Sequence, residues 1–304
     1  MKIIYSSFKF VLKPESPLKF ETMPEFLFRS VVGMKLRNLS CLFKKRKCQE
    51  CDLKFQCAYS VIFESPVEKD NPVLQGRNYA SHSFIFSIEN NEKTTFDEIE
   101  MNLTLIGKAI DYFPYIFYAI SKGGVSGIGR ERTNYSIESI KHEKKEILQD
   151  GQINMDIKKL VWEIGKNSGR GAKKSYLIEF ISPLRFKKVG KYVDELSYED
   201  LLNGLKRRVE ILSGMYGETS DIPLIEEVKN LENKMVSSNI RWVDNKRWSG
   251  RQKTSMYLGG IKGTIELSGN FTPFERALLK AGELFYFGKN AGFGLGRIKV
   301  RELR

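Results

Sequence analysis

Hydrophobic and polar positions alternate with period two at the start of the chain. Ile4, Ser6, Phe8, Phe10 and Leu12 interleave with Tyr5, Ser7, Lys9 and Val11, as expected of a strand with one buried face. The period then changes. From Pro24 onward, Leu27, Val31 and Met34, with Phe28, Val32, Leu36 and Leu39, recur at helical spacing, and Arg29, Lys35 and Arg37 lie between them. This predicts an amphipathic helix with a basic side. Tyr59 to Glu64, Ser81 to Glu89 and the alternating Ile99, Met101, Leu103 and Leu105 predict three further strands. An aromatic helix is expected from about Asp111 to Ser121, burying Phe113, Ile116, Phe117 and Ile120, and it runs into Gly123-Gly124-Val125-Ser126-Gly127-Ile128-Gly129-Arg130.

The same order recurs downstream. Leu177 to Phe186 reads as a strand ending in Ser182-Pro183-Leu184-Arg185-Phe186, which repeats Ser16-Pro17-Leu18-Lys19-Phe20 with one exchange of Lys for Arg. A helix follows with Leu201, Leu205, Val209 and Leu212 on one side. After Trp242 a hairpin is expected, in which Arg251 to Leu258 and Ile261 to Ser268 flank the turn Gly259-Gly260. Thr272, Pro273 and Glu275 form a capping box that starts the last helix. That helix delivers the chain to Gly288-Lys289-Asn290-Ala291-Gly292-Phe293-Gly294-Leu295-Gly296-Arg297, a glycine-rich loop entering a strand with Lys299 and Arg301 on its basic face.

Two motifs repeat in nearly the same register: Ser16 matches Ser182 at an offset of 166 residues, and Gly127 matches Gly294 at 167. Agreement between separate matches argues for duplicated structural units. The predicted class is α+β, with two tandem ferredoxin-like β-α-β-β-α-β domains. The first spans 1–170 and carries a four-cysteine insertion; the second spans 171–304.

Charge narrows the partners. Fifty Lys and Arg against 37 Asp and Glu give the 304 residues a net charge of +13, so an anionic partner is expected. No apolar run reaches the roughly 20 residues that span a bilayer, and the N-terminus lacks a signal-like apolar core. The expectation is a soluble cytoplasmic protein without a membrane partner. Cys41, Cys48, Cys51 and Cys57 lie within 17 residues in the spacing C-x6-C-x2-C-x5-C. They are either ligands of a structural zinc or buried thiols without metal, and four thiolates would leave no open position for a catalytic metal. The stretch Lys44 to Lys47 lies between two of them and would present charge to a nucleic acid.

These residues carry a resemblance. The helix Phe28 to Arg37, the cysteine window closing in Cys57 to Glu64, the stretch Arg247-Trp248-Ser249-Gly250-Arg251-Gln252-Lys253 and the terminal glycine loop together resemble the CRISPR-associated precursor-crRNA-processing endoribonucleases of the RAMP superfamily. The resemblance implies metal-independent cleavage of CRISPR repeat RNA, in which the 2′-hydroxyl attacks the adjacent phosphate and leaves a cyclic phosphate and a 5′-hydroxyl. No cofactor is then needed for catalysis. The partners implied are repeat RNA, the mature crRNA and effector-complex proteins. Many family members place a histidine just after the first helix, but none occurs between Pro24 and Ser60 here. The chain has only His82 and His142, and the Lys/Glu-rich surroundings of His142 suggest solvent exposure. His82, with a side chain that titrates near neutrality, and the cations Lys35 and Arg37 are therefore the catalytic candidates. The RNA-binding candidates are Arg247, Arg251, Lys253, Lys289, Gly292, Gly294, Gly296, Arg297 and Lys299. A non-catalytic RNA-binding RAMP subunit of an effector complex is the alternative.

Overall fold

The structure, a computed structural model, describes residues 1–71, 73–164, 170–217, 232–249 and 254–303. The chain divides into two compact units. One consists essentially of residues 4–161; the other contains Trp162 to Ser249 and Thr254 to Arg304, together with the first three residues.

In the first unit the main elements are β1 (Lys2–Pro14), α1 (Pro24–Ser40), β2 (Phe84–Ile88), β3 (Ile99–Ile106), α2 (Phe113–Ser126) and β4 (Tyr135–His142). The strands pair antiparallel in the order β2-β3-β1-β4. The period-two pattern has the expected outcome: Phe8, Phe10 and Leu12 are fully buried, with Phe8 stacked on Phe113 of α2 at 4.0 Å. Phe28, Val32 and Leu36 of α1 belong to the same core. Each large apolar side chain buried in this way contributes roughly 1.5–3 kcal/mol. Met34 and Leu39 remain exposed, because the buried stripe of α1 is narrower than its run of apolar residues.

Two expectations fail in this unit. Tyr59 to Glu64 is not a strand: Ser60–Glu64 forms one turn of π-helix, closed by the Ser65 amide donating to the Ser60 carbonyl at 2.8 Å. His142 is not solvated. It is buried on β4, with Nδ1 2.9 Å from the Ser7 carbonyl and Nε2 3.1 Å from that of Lys158.

The second unit contains β5 (Ala172–Leu184), the short strands β6 (Lys187–Lys188) and β7 (Lys191–Tyr192), α3 (Tyr198–Tyr216), β8 (Met235–Val243), β9 (Lys246–Ser249), β10 (Thr254–Tyr257), β11 (Gly260–Phe271), α4 (Pro273–Phe285) and β12 (Ile298–Leu303). Its sheet runs β8-β11-β5-β12. In both units, therefore, the four main strands pair in the order second, third, first, fourth. The capping box of α4 is formed as expected: Thr272 Oγ1 accepts from the Glu275 amide, and the Glu275 carboxylate accepts from the Thr272 amide. The predicted hairpin across Gly259-Gly260 does not form. β10 pairs with β9, whereas β11 pairs with β8 and β5.

Candidate functional site

In the first unit a row of alternating rings and cations follows one side of α1. At one end, the Arg37 guanidinium lies 5.7 Å above the ring of Tyr59. Tyr59 stacks on Phe63 with ring planes 3° apart. Arg29 lies over both Phe63 (5.2 Å) and Phe84 (5.6 Å), and His82 stacks on Phe84 at 5.4 Å. Arg29 Nη2 closes the row 2.7 Å from His82 Nε2.

Local sequence explains the arrangement. The helical turn, rather than a strand, puts Tyr59 and Phe63 four residues apart on one face. Gly33 of α1 leaves room for Phe63: a Cβ there would meet the Phe63 ring at 2.8 Å. A guanidinium can only donate, so His82 Nε2 is the acceptor and the ring proton resides on Nδ1, 3.5 Å from the Ser65 hydroxyl. Tyr59 donates to Glu64 at 3.2 Å, and burial together with that carboxylate pushes its phenol up to about 12. It therefore stays neutral through the physiological range.

Of the three catalytic candidates, His82 and Arg37 occupy the two ends of this row. Lys35 instead donates to Ser126 at the end of α2, since its helical position is about 240° from that of Arg29. Sequence reasoning did not single out Arg29, Tyr59, Phe63 or Ser65. The i,i+4 spacing of Tyr59 and Phe63 carried the signal, but their β-prone neighbours masked it.

The cysteine window packs beside the Arg37 end. All four thiols are free and line one cavity with Arg46 and Lys54. Among the described residues, no three His, Cys, Asp or Glu side chains are arranged to hold a metal ion, so the expectation of a closed zinc site finds no preformed ligand set. Burial, followed by the Glu64 carboxylate, pushes the Cys48 thiol up.

In the second unit the glycine loop is held from within. The Ser182 hydroxyl donates to the Gly294 carbonyl at 2.6 Å and accepts from the Arg297 amide at 2.9 Å. The Gly296 amide donates to Pro183 O and the Lys289 amide to Arg185 O. Positive φ angles at Gly288, Gly294 and Gly296 make these close approaches feasible. The repeated Ser-Pro-Leu motif is thus the seat of the glycine loop, and in the first unit Leu18 likewise lies next to Gly129. Gly292, Gly294 and Gly296 are buried, and the Gly294 and Gly296 amides donate inside the protein, which leaves ligand contact to side chains. Lys289 and Lys299 are exposed, and Arg297 is half-buried. Arg247 packs over Phe293 at 4.3 Å, and burial lowers the pKa of its guanidinium. Arg251 and Lys253 lie outside the described residues.

Antiparallel sheets flanked by helices, with a seated glycine loop in the second unit, make this a mixed α/β protein. Residues 178–298 match the family model described as CRISPR-associated endoribonuclease Cas6, and residues 3–160, more than half of the chain, match AF_1859_N, described as an N-terminal domain. The chain therefore belongs to the family that the AF_1859_N domain defines, and residues 178–298 of its second unit carry the match to CRISPR-associated endoribonuclease Cas6. An uncharacterized protein of Archaeoglobus fulgidus is 22% identical over 92% of this chain and 93% of its own length. A Cas6 product complex aligns with a TM-score of 0.58 at 12% identity, covering 98% of this chain and 99% of that one. Thermus thermophilus Cas6 aligns with a TM-score of 0.51 at 12% identity over the same shares. A chain from a partial Cas6-RT-Cas1–Cas2 complex aligns with a TM-score of 0.55 at 13% identity, and the present chain spans 46% of its length. At such identities the structural likeness establishes a Cas6-like fold.

Proposed function

We propose that the protein processes precursor crRNA by metal-independent cleavage within the CRISPR repeat, on two ferredoxin-like units. The strand order second, third, first, fourth in each unit supports that reading of the fold. The Cas6 match over residues 178–298 supports the substrate class. The observation that carries the chemistry is the contact between Arg29 and His82, a guanidinium beside a neutral imidazole whose acceptor nitrogen faces it. A scissile phosphate competes for Arg29 and draws it off the ring. His82 Nε2 then takes the proton of the 2′-hydroxyl as its oxygen bonds to phosphorus. The phosphorus bond to the 5′-oxygen breaks, and water protonates the leaving oxygen. Arg29 stabilises the charge that develops on the phosphorane oxygens, and Arg247, Lys289, Arg297 and Lys299 grip the backbone. Neither step requires a metal.

The test is cleavage of repeat RNA in EDTA by single-turnover kinetics. A single cut leaving a cyclic phosphate supports the proposal; binding without cutting overturns it in favour of a non-catalytic RNA-binding subunit. His82→Ala is expected to slow the cut by about 10²- to 10⁴-fold, the range for loss of a general base, and an unchanged rate removes His82 from the mechanism.

A further inference from the structure

The glycine loop does not end at its own residues. Arg185, whose carbonyl accepts from the Lys289 amide, is 7% exposed, and its side chain runs to a second surface. There Nη1 donates to the Gly259 carbonyl at 2.8 Å, and the guanidinium carbon lies 4.3 Å from the ring centroid of Tyr192. The buried Nε of Arg185 has no hydrogen-bond partner among the described residues. Gly259 in turn seats Trp242: a Cβ at Gly259 would meet the indole at 2.5 Å, and the indole Nε1 donates to Asp244 at 3.0 Å. Tyr192 and Trp242 stand 6.4 Å apart, 40% and 36% exposed.

Cations surround the pair. Tyr192 lies on the hairpin of β6 and β7, directly opposite Lys187, whose ammonium lies 4.7 Å above the ring. Lys188, paired with Asp200, and Lys191 complete the hairpin. Its turn takes positive φ at both Val189 (47°) and Gly190 (80°). The left-handed region is unfavourable for a β-branched residue, yet Val189 is 97% exposed at the tip, so no core contact there compensates for the strain.

We propose that Tyr192 and Trp242 form a base-stacking platform for a single-stranded segment of RNA, with Lys187 and Lys191 on its phosphates. This rests on the RNA-processing reading and extends the RNA track from the glycine loop, through Arg185, to the β6–β7 hairpin. Two partly exposed rings, Tyr192 backed on one face by Arg185 and Trp242 seated on Gly259 with its Nε1 on Asp244, lose little freedom when a base covers them, and every base has a face to offer. The exposed Lys187 is the group a base displaces, and a nearby phosphate gives its charge a new partner. A flat acidic protein surface would use the lysines but leave the preset rings without a role.

Fluorescence anisotropy with a labelled oligouridylate, alongside uncut repeat RNA, tests the platform on the full chain. Tyr192→Ala and Trp242→Ala are each expected to weaken oligouridylate binding by roughly 10- to 100-fold. Tyr192→Phe and Trp242→Phe keep a ring and should retain most of the affinity, which separates stacking from misfolding. Lys187→Ala should instead flatten the dependence of log K on log salt by about 0.7. Affinities of the alanine variants within twofold of wild type overturn the platform and assign the surface to a protein partner. Wild-type protein that binds oligouridylate through these rings but cuts no repeat leaves the platform standing and removes the nuclease reading.

Discussion

Replacing Ser182 with alanine isolates the joint on which the second unit's loop depends. The hydroxyl is 1% exposed, donates to Gly294 O at 2.6 Å and accepts from the Arg297 amide at 2.9 Å. Alanine removes both bonds at once and offers neither group a substitute. Gly294 is buried, so its carbonyl loses a partner where water does not reach it, at a cost of about 1–3 kcal/mol. Arg297 is half-exposed and its amide regains part of its loss from solvent. A hydroxyl no longer desolvated returns about 1 kcal/mol, leaving a net loss of about 1–2 kcal/mol. All three tryptophans of the chain lie between residues 162 and 249, inside the second unit, so urea unfolding followed by tryptophan fluorescence is weighted towards that unit. The midpoint should fall by about 0.5 M for a slope near 2–3 kcal/mol/M. Ser16 stands at the matching place of the repeated motif but is exposed, so Ser16→Ala should change stability by less than about 0.5 kcal/mol in calorimetry. A loss below about 0.5 kcal/mol for Ser182→Ala would refute the claim that this hydroxyl seats the loop.

Two further predictions address the first unit. Gly33→Ala puts a methyl 2.8 Å from the Phe63 ring; it should displace the ring under Arg29 and lower the cleavage rate by about tenfold or more through lost positioning, and full activity would show that the row of rings does not position Arg29. The raised Cys48 thiol favours its neutral form in the folded state, so its contribution to stability is fully present below the thiol's unfolded pKa and is lost as pH rises through the higher folded value. Accordingly, Cys48 alkylation followed by mass spectrometry should require higher pH in the native protein than in the unfolded chain, and coincident profiles would contradict the burial argument.

The parts of the fold legible in the sequence were those governed by local periodicity and capping. β1, α1, α3 and the Thr272 capping box follow from spacing because each buries one face against a single sheet. The parts that were not legible depend on pairing at a distance. Gly259-Gly260 has the composition of a tight turn, but the strand before it pairs with Lys246 to Ser249, and Gly259 instead packs against Trp242 and accepts from Arg185. His142 was misread from the charge of its neighbours. Its period-two relation to the buried Ile140 placed it on the inner face of β4, so strand alternation was the better guide.

The same distinction bears on the site. The glycine loop and the first-helix cations were visible as motifs, whereas the contact between Arg29 and His82 joins residues 53 positions apart and depends on a helical turn between them that was mistaken for a strand. A histidine need not follow α1 in sequence to face it: β2 begins two residues after His82 and carries the ring back to the helix through Phe84. An imidazole thus lies beside α1 even though it arrives from another element. What the helix contributes instead is Arg29, a cation buried enough between two rings to be aimed and close enough to the imidazole to fix its tautomer.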